Sequence, residues 1–303
     1  MEGFSVFGRL RAEIQPFFLS LQRIDLIVMK ELLIRSISGL LLGAVLLVCV
    51  LISPWSFAAL LLLIVIIGTY EMTRLQQLDS LMGVVVSEVF SIGTFALPAL
   101  VALQVVGPGW LLLELPLLMI PFLFALFSVR HDAKSIFTCL FASLTFLSLP
   151  SALMLFMYRE YLNLENLFGV LKGAYVIIPI FCLLWINDIF AYLTGKLFGK
   201  HKLFPRISPG KTIEGCVGGL VFTVMAMVIF IHYTSWLPMM EGIGLAVIAV
   251  AFGTLGDLCE SMLKRQAGVK DSGNLIPGHG GILDRFDSVM FSVPFIFVYL
   301  QLL

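Results

Sequence analysis

Charged residues are scarce in this sequence, and their scarcity excludes a soluble fold. Only 13% of the 303 residues are charged, whereas 60% are hydrophobic and the mean hydropathy is +1.04. A globular surface surrounded by water cannot be built from this composition. The 19 basic residues balance the 19 acidic ones, so net charge does not indicate an acidic partner, and no nucleic-acid partner is expected.

The sequence also lacks the spacing of Cys and His that binds zinc, and it lacks a signal peptide. Its five cysteines are odd in number, widely spaced and mostly within apolar stretches, which is typical of small core residues. Residues 1–35 have no compact apolar core and no small-residue cleavage site. Arg9, Arg11 and Arg23 are instead spread among Phe and Leu, which predicts an amphipathic segment at the membrane interface.

Long apolar runs recur along the whole chain, and many approach the roughly 20 residues that a helix needs to cross the hydrocarbon core. Together with the positions of Pro, Gly and charge, they predict an all-α polytopic membrane protein. Nine spans are predicted, at 36–53, 56–73, 82–106, 110–128, 136–157, 173–195, 215–235, 239–258 and 286–303. No internal repeat is visible.

Basic residues indicate the orientation, because Lys and Arg accumulate on the side of the membrane that is not translocated. With a cytoplasmic N-terminus, all basic residues except Arg159 and Lys172 fall in inner segments. The nine-span topology therefore agrees with the distribution of basic residues, whereas an eight-span or inverted topology would not.

Reactive side chains concentrate between Asn187 and Asp287. Near the end of the sixth span, Asp188 and Tyr192 are four residues apart and share a helix face. An acidic residue within a membrane helix usually faces a polar cavity. The alternative is a helix-end carboxylate that is solvated by headgroups or paired with Lys196.

A basic loop follows, with Gly or Pro at its bends, and such a loop can wrap phosphates. The Gly-Lys-Thr triplet at 210–212 suggests a P-loop, but that pattern requires Gly where Pro205 stands, so a Walker motif is rejected. Ordinary positive-inside charge is the alternative explanation for any single lysine. The stretch from Ser208 to Glu214 combines a rigid turn, a base, a hydroxyl and a helix-start acid, so the lysine or threonine of the triplet can reach an anion.

The densest polar stretch lies further along, at 256–287, and holds five acids and four bases. One helix face running off span eight is predicted to carry Asp257, Glu260, Ser261 and Lys264. On the helix leading into span nine, Asp284 and Asp287 are three residues apart and project together. Between these helices, the glycine-rich segment 277–281 lets backbone approach a ligand closely.

Salt bridges alone are the ordinary explanation for such a cluster. Carboxylates that flank two membrane helices are, however, unfavourable without a cation or a paired base. Hard oxygen ligands suit Mg²⁺, and neighbouring Lys and Arg suit phosphate oxygens. The cluster therefore favours phosphoryl or nucleotidyl transfer, in which charge is neutralised and the reactants are aligned in line.

These stretches resemble the phosphatidate cytidylyltransferases, also called CDP-diacylglycerol synthases. The family signature reads Ser-x-apolar-Lys-Arg, four residues, Lys-Asp-x-small, then apolar-Pro-x-His-Gly-Gly-apolar-x-Asp-Arg-apolar-Asp. This sequence matches it at Ser261, Lys264, Arg265, Lys270, Asp271, Gly273, Pro277, His279, Gly280, Gly281, Asp284, Arg285 and Asp287. A second family stretch appears from Asp188 to Gly215. It departs at Gly210, where many members carry Lys.

The resemblance implies an all-helical enzyme of the cell membrane, with its active site facing the cytoplasm. Such an enzyme condenses CTP with phosphatidic acid in a Mg²⁺-dependent reaction, giving CDP-diacylglycerol and pyrophosphate, and the resemblance also suggests a homodimer. The metal ligands that it implies are Asp257, Asp284 and Asp287. The catalytic set adds Lys264 and Arg265. The substrate-binding residues that it implies are Asp188, Tyr192, Ser208, Lys211, Thr212, Glu214, Ser261, Lys270, Asp271, His279, Gly280, Gly281 and Arg285.

On this interpretation the chain divides into an interfacial segment at 1–35, lipid-facing transmembrane helices with a substrate cavity at 36–172, and a catalytic transmembrane domain with cytoplasmic loops at 173–303. The phosphate of phosphatidic acid is already an anionic nucleophile near neutral pH, so no strong general base is required. The front helices would hold the acyl chains.

Two alternatives stay open at this point. An ion-coupled transporter could use Glu88, Glu114 and Asp188 as an ion path, although no inverted repeat is visible and the acids crowd at one interface. A related lipid nucleotidyltransferase with another acceptor would share the mechanism and differ only in the tails. A CDP-alcohol phosphotransferase is disfavoured, because its Asp-Gly-x-x-Ala-Arg motif is absent.

Overall fold

The computed structural model describes residues 36–160, 173–276, 278 and 280–303. Within them the chain is helical apart from one two-stranded hairpin and its loops. The predicted interfacial segment 1–35, Lys172 and His279 lie outside the described residues.

The helices follow one another along the chain. The first half contains α1 Ser36–Ile52, α2 Pro54–Leu75, α3 Leu81–Ala102, a 3₁₀ turn Pro108–Leu113, α4 Glu114–Leu117, α5 Ile120–Phe127, α6 Ala133–Ser143, a π-helical turn Leu144–Ser148 and α7 Leu149–Glu160. The second half contains α8 Ala174–Phe198, β1 Lys202–Phe204, β2 Ser208–Thr212, α9 Ile213–Thr234, α10 Met239–Gln266 and α11 Leu283–Leu302.

Length and composition allow seven helical segments of the described chain to cross a membrane. They are Pro54–Leu75, Leu81–Ala102, Pro108–Phe127, Ala133–Arg159, Val176–Phe198, Ile213–Thr234 and Met239–Gln266. These segments coincide with seven of the nine predicted spans, so the predicted all-α membrane fold is confirmed. The helices α1 and α11 match the first and last predicted spans in position but are not among the seven. The count of nine and the side of the N-terminus stay predictions.

Local sequence explains where two of the membrane helices begin. The hydroxyl of Ser53 accepts a hydrogen bond from Ser56 N, Ser53 N donates one to Ser56 Oγ in return, and Pro54 occupies the first turn of α2. Thr212 caps α9 in the same way, since its hydroxyl accepts a hydrogen bond from Gly215 N. Both caps satisfy N–H groups that have no partner within the helix.

Small residues let α8 and α9 pack closely. Gly215 and Gly219 are four residues apart on α9, a spacing that brings membrane helices together. A methyl group on Gly215 would lie 2.7 Å from the carbonyl oxygen of Ala191 and 3.2 Å from Cα of Gly195, both on α8. The close approach fixes α8 against the start of α9.

A glycine also sets the spacing of α10 and α11. A methyl group on Gly256 would lie 2.7 Å from the carbonyl oxygen of Asp287 and 2.5 Å from Cβ of Phe291. The next residue after this close approach is Asp257. The acidic ends of the two helices are therefore held side by side.

The basic loop forms a hairpin that lies next to the ends of these helices. Strand β1 pairs antiparallel with β2, with Lys202 opposite Thr212 and Phe204 opposite Ser208. Arg265, near the end of α10, donates a hydrogen bond of 3.4 Å to the carbonyl oxygen in the hairpin turn at 207. The hairpin is thereby attached to α10 as well as to α9.

The α8–α9 packing predicts that Gly215→Ala lowers thermal stability, although Ala is normally the better helix former by about 1 kcal/mol. Overpacking of this kind typically costs about 1–3 kcal/mol. The measurement is the thermal unfolding midpoint of the purified protein in detergent. Gly107→Ala is the matched control, because nothing lies within 4 Å of a methyl group there. Equal midpoints for the two variants would contradict the close packing.

Candidate functional site

A polar cavity of about 630 Å³ opens between α8, the hairpin and the adjoining parts of α9 and α10. This volume is in the range of small-molecule sites. Six predicted site residues line it: Asp188, Tyr192, Ser208, Lys211, Thr212 and Asp257. The lining also includes Asn187, Lys196, Lys202 and Thr254. Two sequence stretches that are far apart along the chain therefore form one site, as the predicted constellation requires.

An ion pair between Lys211 and Asp257 connects the hairpin to α10 across this cavity. The hydroxyl of Ser261 also donates a hydrogen bond of 3.2 Å to Asp257 Oδ1. Both charged side chains are partly exposed to the cavity, at 27% and 31%. A phosphate group that enters meets Lys211 and Asp257 together, so its binding is favourable only if a cation offsets the aspartate charge.

Three carboxylates, which we call the carboxylate trio, adjoin the cavity through one member, Asp257, which lines it. They are Asp257, Glu260 and Asp287, and each offers an oxygen within 4.8 Å of the others. Glu260 is only 1% exposed, and its Oε1 atom is buried without a hydrogen-bond partner in the described residues. Like charges at this separation repel, and burial makes the repulsion worse. A hard divalent cation such as Mg²⁺ fits this donor set, because it would remove the repulsion and use the unpaired oxygen.

Asp284, which was predicted as a metal ligand from the resemblance, lies outside the trio. Its Oδ1 accepts a hydrogen bond of 2.5 Å from Lys264, and its Oδ2 accepts bonds of 2.9 Å and 2.8 Å from the backbone N–H groups of Ser272 and Gly281. Burial raises the pKa of the Asp284 carboxyl, but these hydrogen bonds outweigh it and hold the pKa below its usual value. Lys264 also pairs with Glu260 Oε2 at 2.6 Å. Lys264 therefore connects Asp284 to the trio. The role of Asp284 as a metal ligand stays a prediction.

Two predicted substrate contacts stabilise the junction between hairpin and helix. Thr212 uses its hydroxyl to cap α9. The carboxylate of Glu214 accepts hydrogen bonds of 3.2 Å from the backbone N–H of His201 and lies 2.6 Å from its ring Nδ1. Direct contact of either residue with a substrate stays a prediction.

The remaining predicted residues of the described chain lie nearer the surface. Tyr192 is exposed, with the Lys196 ammonium 5.8 Å from its ring centroid. Lys270, Asp271 and Arg285 are also exposed, and no roles beyond those implied by the resemblance follow from their positions.

The paired glycines at 280 and 281 allow a close approach to carboxylates. Gly280 has φ +84°, and a methyl group there would lie 2.6 Å from Asp284 Oδ2. On Gly281 it would lie 2.2 Å from Ser272 Oγ and 2.4 Å from Glu71 Oε2. Glycine at position 280 is explained both by its positive φ and by the lack of room for a side chain. At position 281 the lack of room alone explains it.

Sequence reasoning missed Glu260 and Glu71 as site residues. Glu260 was placed on the polar face of α10 but was given no role. Glu71 is the acidic residue within the second predicted span, and an acid in a membrane helix was the signal that could have identified it.

The chain is similar in sequence to known proteins. The model of the cytidylyltransferase family matches residues 33–303. A protein named phosphatidate cytidylyltransferase from Staphylococcus aureus (strain COL) is 48% identical over 134 residues, which are 43% of this chain and 50% of that protein. Its namesake from Staphylococcus epidermidis (strain ATCC 35984) is 50% identical over 134 residues, with the same coverage of 43% and 50%. The chain spans about half the length of the curated relatives it matches.

The carboxylate trio predicts that Mg²⁺ raises the thermal unfolding midpoint of the purified protein, because a cation that binds only the folded state stabilises it. Glu260→Gln should remove most of this shift. Without Mg²⁺ two effects oppose each other in the variant: one of three repelling charges is gone, but so is the ion pair of Glu260 with Lys264.

Glu241→Gln is the matched control for this measurement. Glu241 lies in the first turn of α10, 16 residues before Asp257 and therefore about 24 Å away along the helix. An undiminished Mg²⁺ shift in Glu260→Gln would contradict a cation at the trio.

Proposed function

This chain belongs to the cytidylyltransferase family, and we propose that it transfers the cytidylyl group of CTP to phosphatidic acid, forming CDP-diacylglycerol and pyrophosphate. One observation carries the proposal: the carboxylate trio adjoins a cavity whose lining includes Lys196, Lys202 and Lys211. A cation site beside a basic cavity suits a triphosphate. The names of the Staphylococcus relatives support phosphatidic acid as the acceptor.

The chemistry needs two polyanions to be brought together in line. An oxygen of the lipid phosphate forms a bond to the α-phosphorus of CTP, and the bond from that phosphorus to the bridging oxygen breaks, so that pyrophosphate leaves with the electron pair. No proton has to be removed from the nucleophile, which is consistent with a site built from carboxylates and lysines. Mg²⁺, when bound by the trio, supplies neutralisation of phosphate charge.

Lys211 is placed to exchange partners during binding. In the described structure it pairs with Asp257, which would release Lys211 on serving as a cation ligand. The ammonium group would then be available to a phosphate oxygen, with which it forms a strong charge-assisted hydrogen bond. The ion pair thus holds a phosphate-binding base at the cavity.

An apolar groove of about 410 Å³ supports a lipid acceptor. It lies between α9 and α10 beside the hairpin, and its lining includes Leu203, Leu220 and Val247. Two residues, Cys216 and Thr254, line both this groove and the polar cavity. An acyl chain in the groove would therefore extend from a headgroup in the cavity. This position is on the second half of the chain, whereas the sequence alone suggested the front helices.

The proposal extends to location and assembly. The distribution of Lys and Arg supports a site that faces the cytoplasm, where CTP is dissolved. The cell membrane and the homodimer rest on the resemblance alone, and light scattering of the detergent-solubilised protein tests the dimer.

The decisive test uses purified protein in lipid nanodiscs with phosphatidic acid, Mg²⁺ and CTP labelled at either the α- or the γ-phosphorus. The α-label should enter the lipid fraction, and the γ-label should appear only in pyrophosphate. A γ-label in lipid would indicate a kinase, and no lipid-linked label with any acceptor would contradict the proposal. Ion flux without CTP consumption would favour a transporter.

Asp257→Asn should lower this turnover roughly 100-fold or more, because it removes a carboxylate that would hold the cation offsetting phosphate charge in the transition state. Glu241→Gln should retain wild-type turnover. Asp284→Asn should also abolish turnover while leaving the protein folded. Wild-type-like turnover by Asp284→Asn would contradict the role in the reaction that the resemblance implies for Asp284.

A further inference from the structure

A buried carboxylate in the front half of the chain holds the segment that carries Asp284. Glu71, on α2, is 4% exposed, and its partners lie 201 to 212 residues further along the sequence. Its Oε1 accepts a hydrogen bond of 2.9 Å from Ile282 N. Its Oε2 accepts bonds of 2.9 Å from Leu283 N and from Ser272 Oγ.

Through these contacts Glu71, a residue of α2, caps the N-terminus of α11. The first N–H groups of a helix have no partner within it, and a negative charge near them is favourable. At the start of α11, the residue in the cap position is Ile282, which provides no side-chain hydrogen bond. The Glu71 carboxylate accepts from the N–H groups of Ile282 and Leu283 in its place. An acid buried among membrane helices is unfavourable without such partners, so the hydrogen bonds account for its presence.

The same carboxylate is connected to the candidate site by a series of contacts. Ser272 Oγ lies 2.9 Å from Glu71 Oε2 and 3.0 Å from Asp284 Oδ2. Asp284 in turn accepts a hydrogen bond from Lys264, which pairs with Glu260 of the carboxylate trio. If the backbone at Ser272 were displaced, Asp284 would therefore move, and its hydrogen bond with Lys264 would change.

The loop fits around Glu71 without spare space. A methyl group on Gly273 would lie 2.5 Å from Glu71 Oε1, and one on Gly281 would lie 2.4 Å from Oε2. Both sides of the loop thus pack directly against the carboxylate. A neutral or shorter side chain at position 71 would leave backbone N–H groups without their acceptor.

We propose that Glu71 is a positioning residue for the carboxylate trio: it fixes the backbone at Ser272 and at Ile282 and Leu283, where α11 starts. It thereby sets Asp284 against Lys264, and Asp287 within the trio. Glu71 itself touches neither substrate nor metal. The inference rests on the proposed function, because the trio is taken as the Mg²⁺ site.

The test compares Glu71→Gln with the wild type by the half-saturating Mg²⁺ concentration, obtained by fitting the rise of the unfolding midpoint with Mg²⁺ concentration. The glutamine keeps the size but replaces one accepting oxygen with an NH₂ group that faces N–H donors. The half-saturating Mg²⁺ concentration should rise roughly 10-fold or more, which is the usual effect of losing a group that orients metal ligands. In the turnover assay, kcat should fall and its Mg²⁺ dependence should shift by a similar factor.

Glu88→Gln is the matched control, because Glu88 is another carboxylate within a front-half helix and its Oε2 atom is buried without a hydrogen-bond partner among the described residues. It should leave the Mg²⁺ dependence unchanged. A purely structural role for Glu71 would lower the unfolding midpoint in both the presence and absence of Mg²⁺ without moving the half-saturating concentration. That outcome would overturn the proposal.

Ser272→Ala provides a second, milder variant should Glu71→Gln fail to fold. It removes the contact between the two carboxylates and leaves the two backbone hydrogen bonds to Glu71 in place. A raised half-saturating Mg²⁺ concentration supports the proposal, and an unchanged one overturns it. The thermal shift needs no turnover, so a wild type that binds Mg²⁺ but yields no lipid-linked product would count against the proposed function and not against the role of Glu71.

Discussion

Repulsion among Asp257, Glu260 and Asp287 is the constraint on which the rest of the site depends. One oxygen from each lies within 4.8 Å of the others, and Glu260 is only 1% exposed. The surrounding residues partly offset this charge: Lys264 pairs with Glu260, and Lys211 pairs with Asp257. Neither pairing reaches Glu260 Oε1, which is buried without a hydrogen-bond partner in the described chain. A divalent cation, together with the phosphates that accompany it, would balance the charge that remains at the trio.

Holding such a cluster in a membrane requires contacts other than hydrophobic burial, because lipid tails solvate apolar side chains as well as a protein interior does. Close packing and polar contacts provide them. Gly256 lets α10 and α11 approach, Gly215 does the same for α8 and α9, and Glu71 attaches the loop before α11 to α2. The front helices therefore contribute to the site by position, in addition to any contact with lipid.

The sequence predicted the parts of this structure that depend on local pattern. Apolar length located seven helices that are long and apolar enough to cross a membrane, and the family resemblance identified Asp188, Lys211 and Asp257, which line one cavity. Tertiary approach decided the rest. The three-residue spacings of Asp257 with Glu260 and of Asp284 with Asp287 allow several carboxylate groupings, and only the packing of α10 on α11 selects the one that includes Glu260. Glu71 was missed because its partners are more than 200 residues away, a separation at which helix periodicity carries no information.

The central claim is that the carboxylate trio binds the divalent cation used in nucleotidyl transfer. Anomalous scattering from crystals grown with Mn²⁺ in place of Mg²⁺ tests it most directly, since the metal is located independently of activity. The account predicts a single strong peak within ligand distance of Asp257, Glu260 and Asp287. A peak coordinated by Asp284 with Glu260 left out, or no peak between α10 and α11, would contradict it.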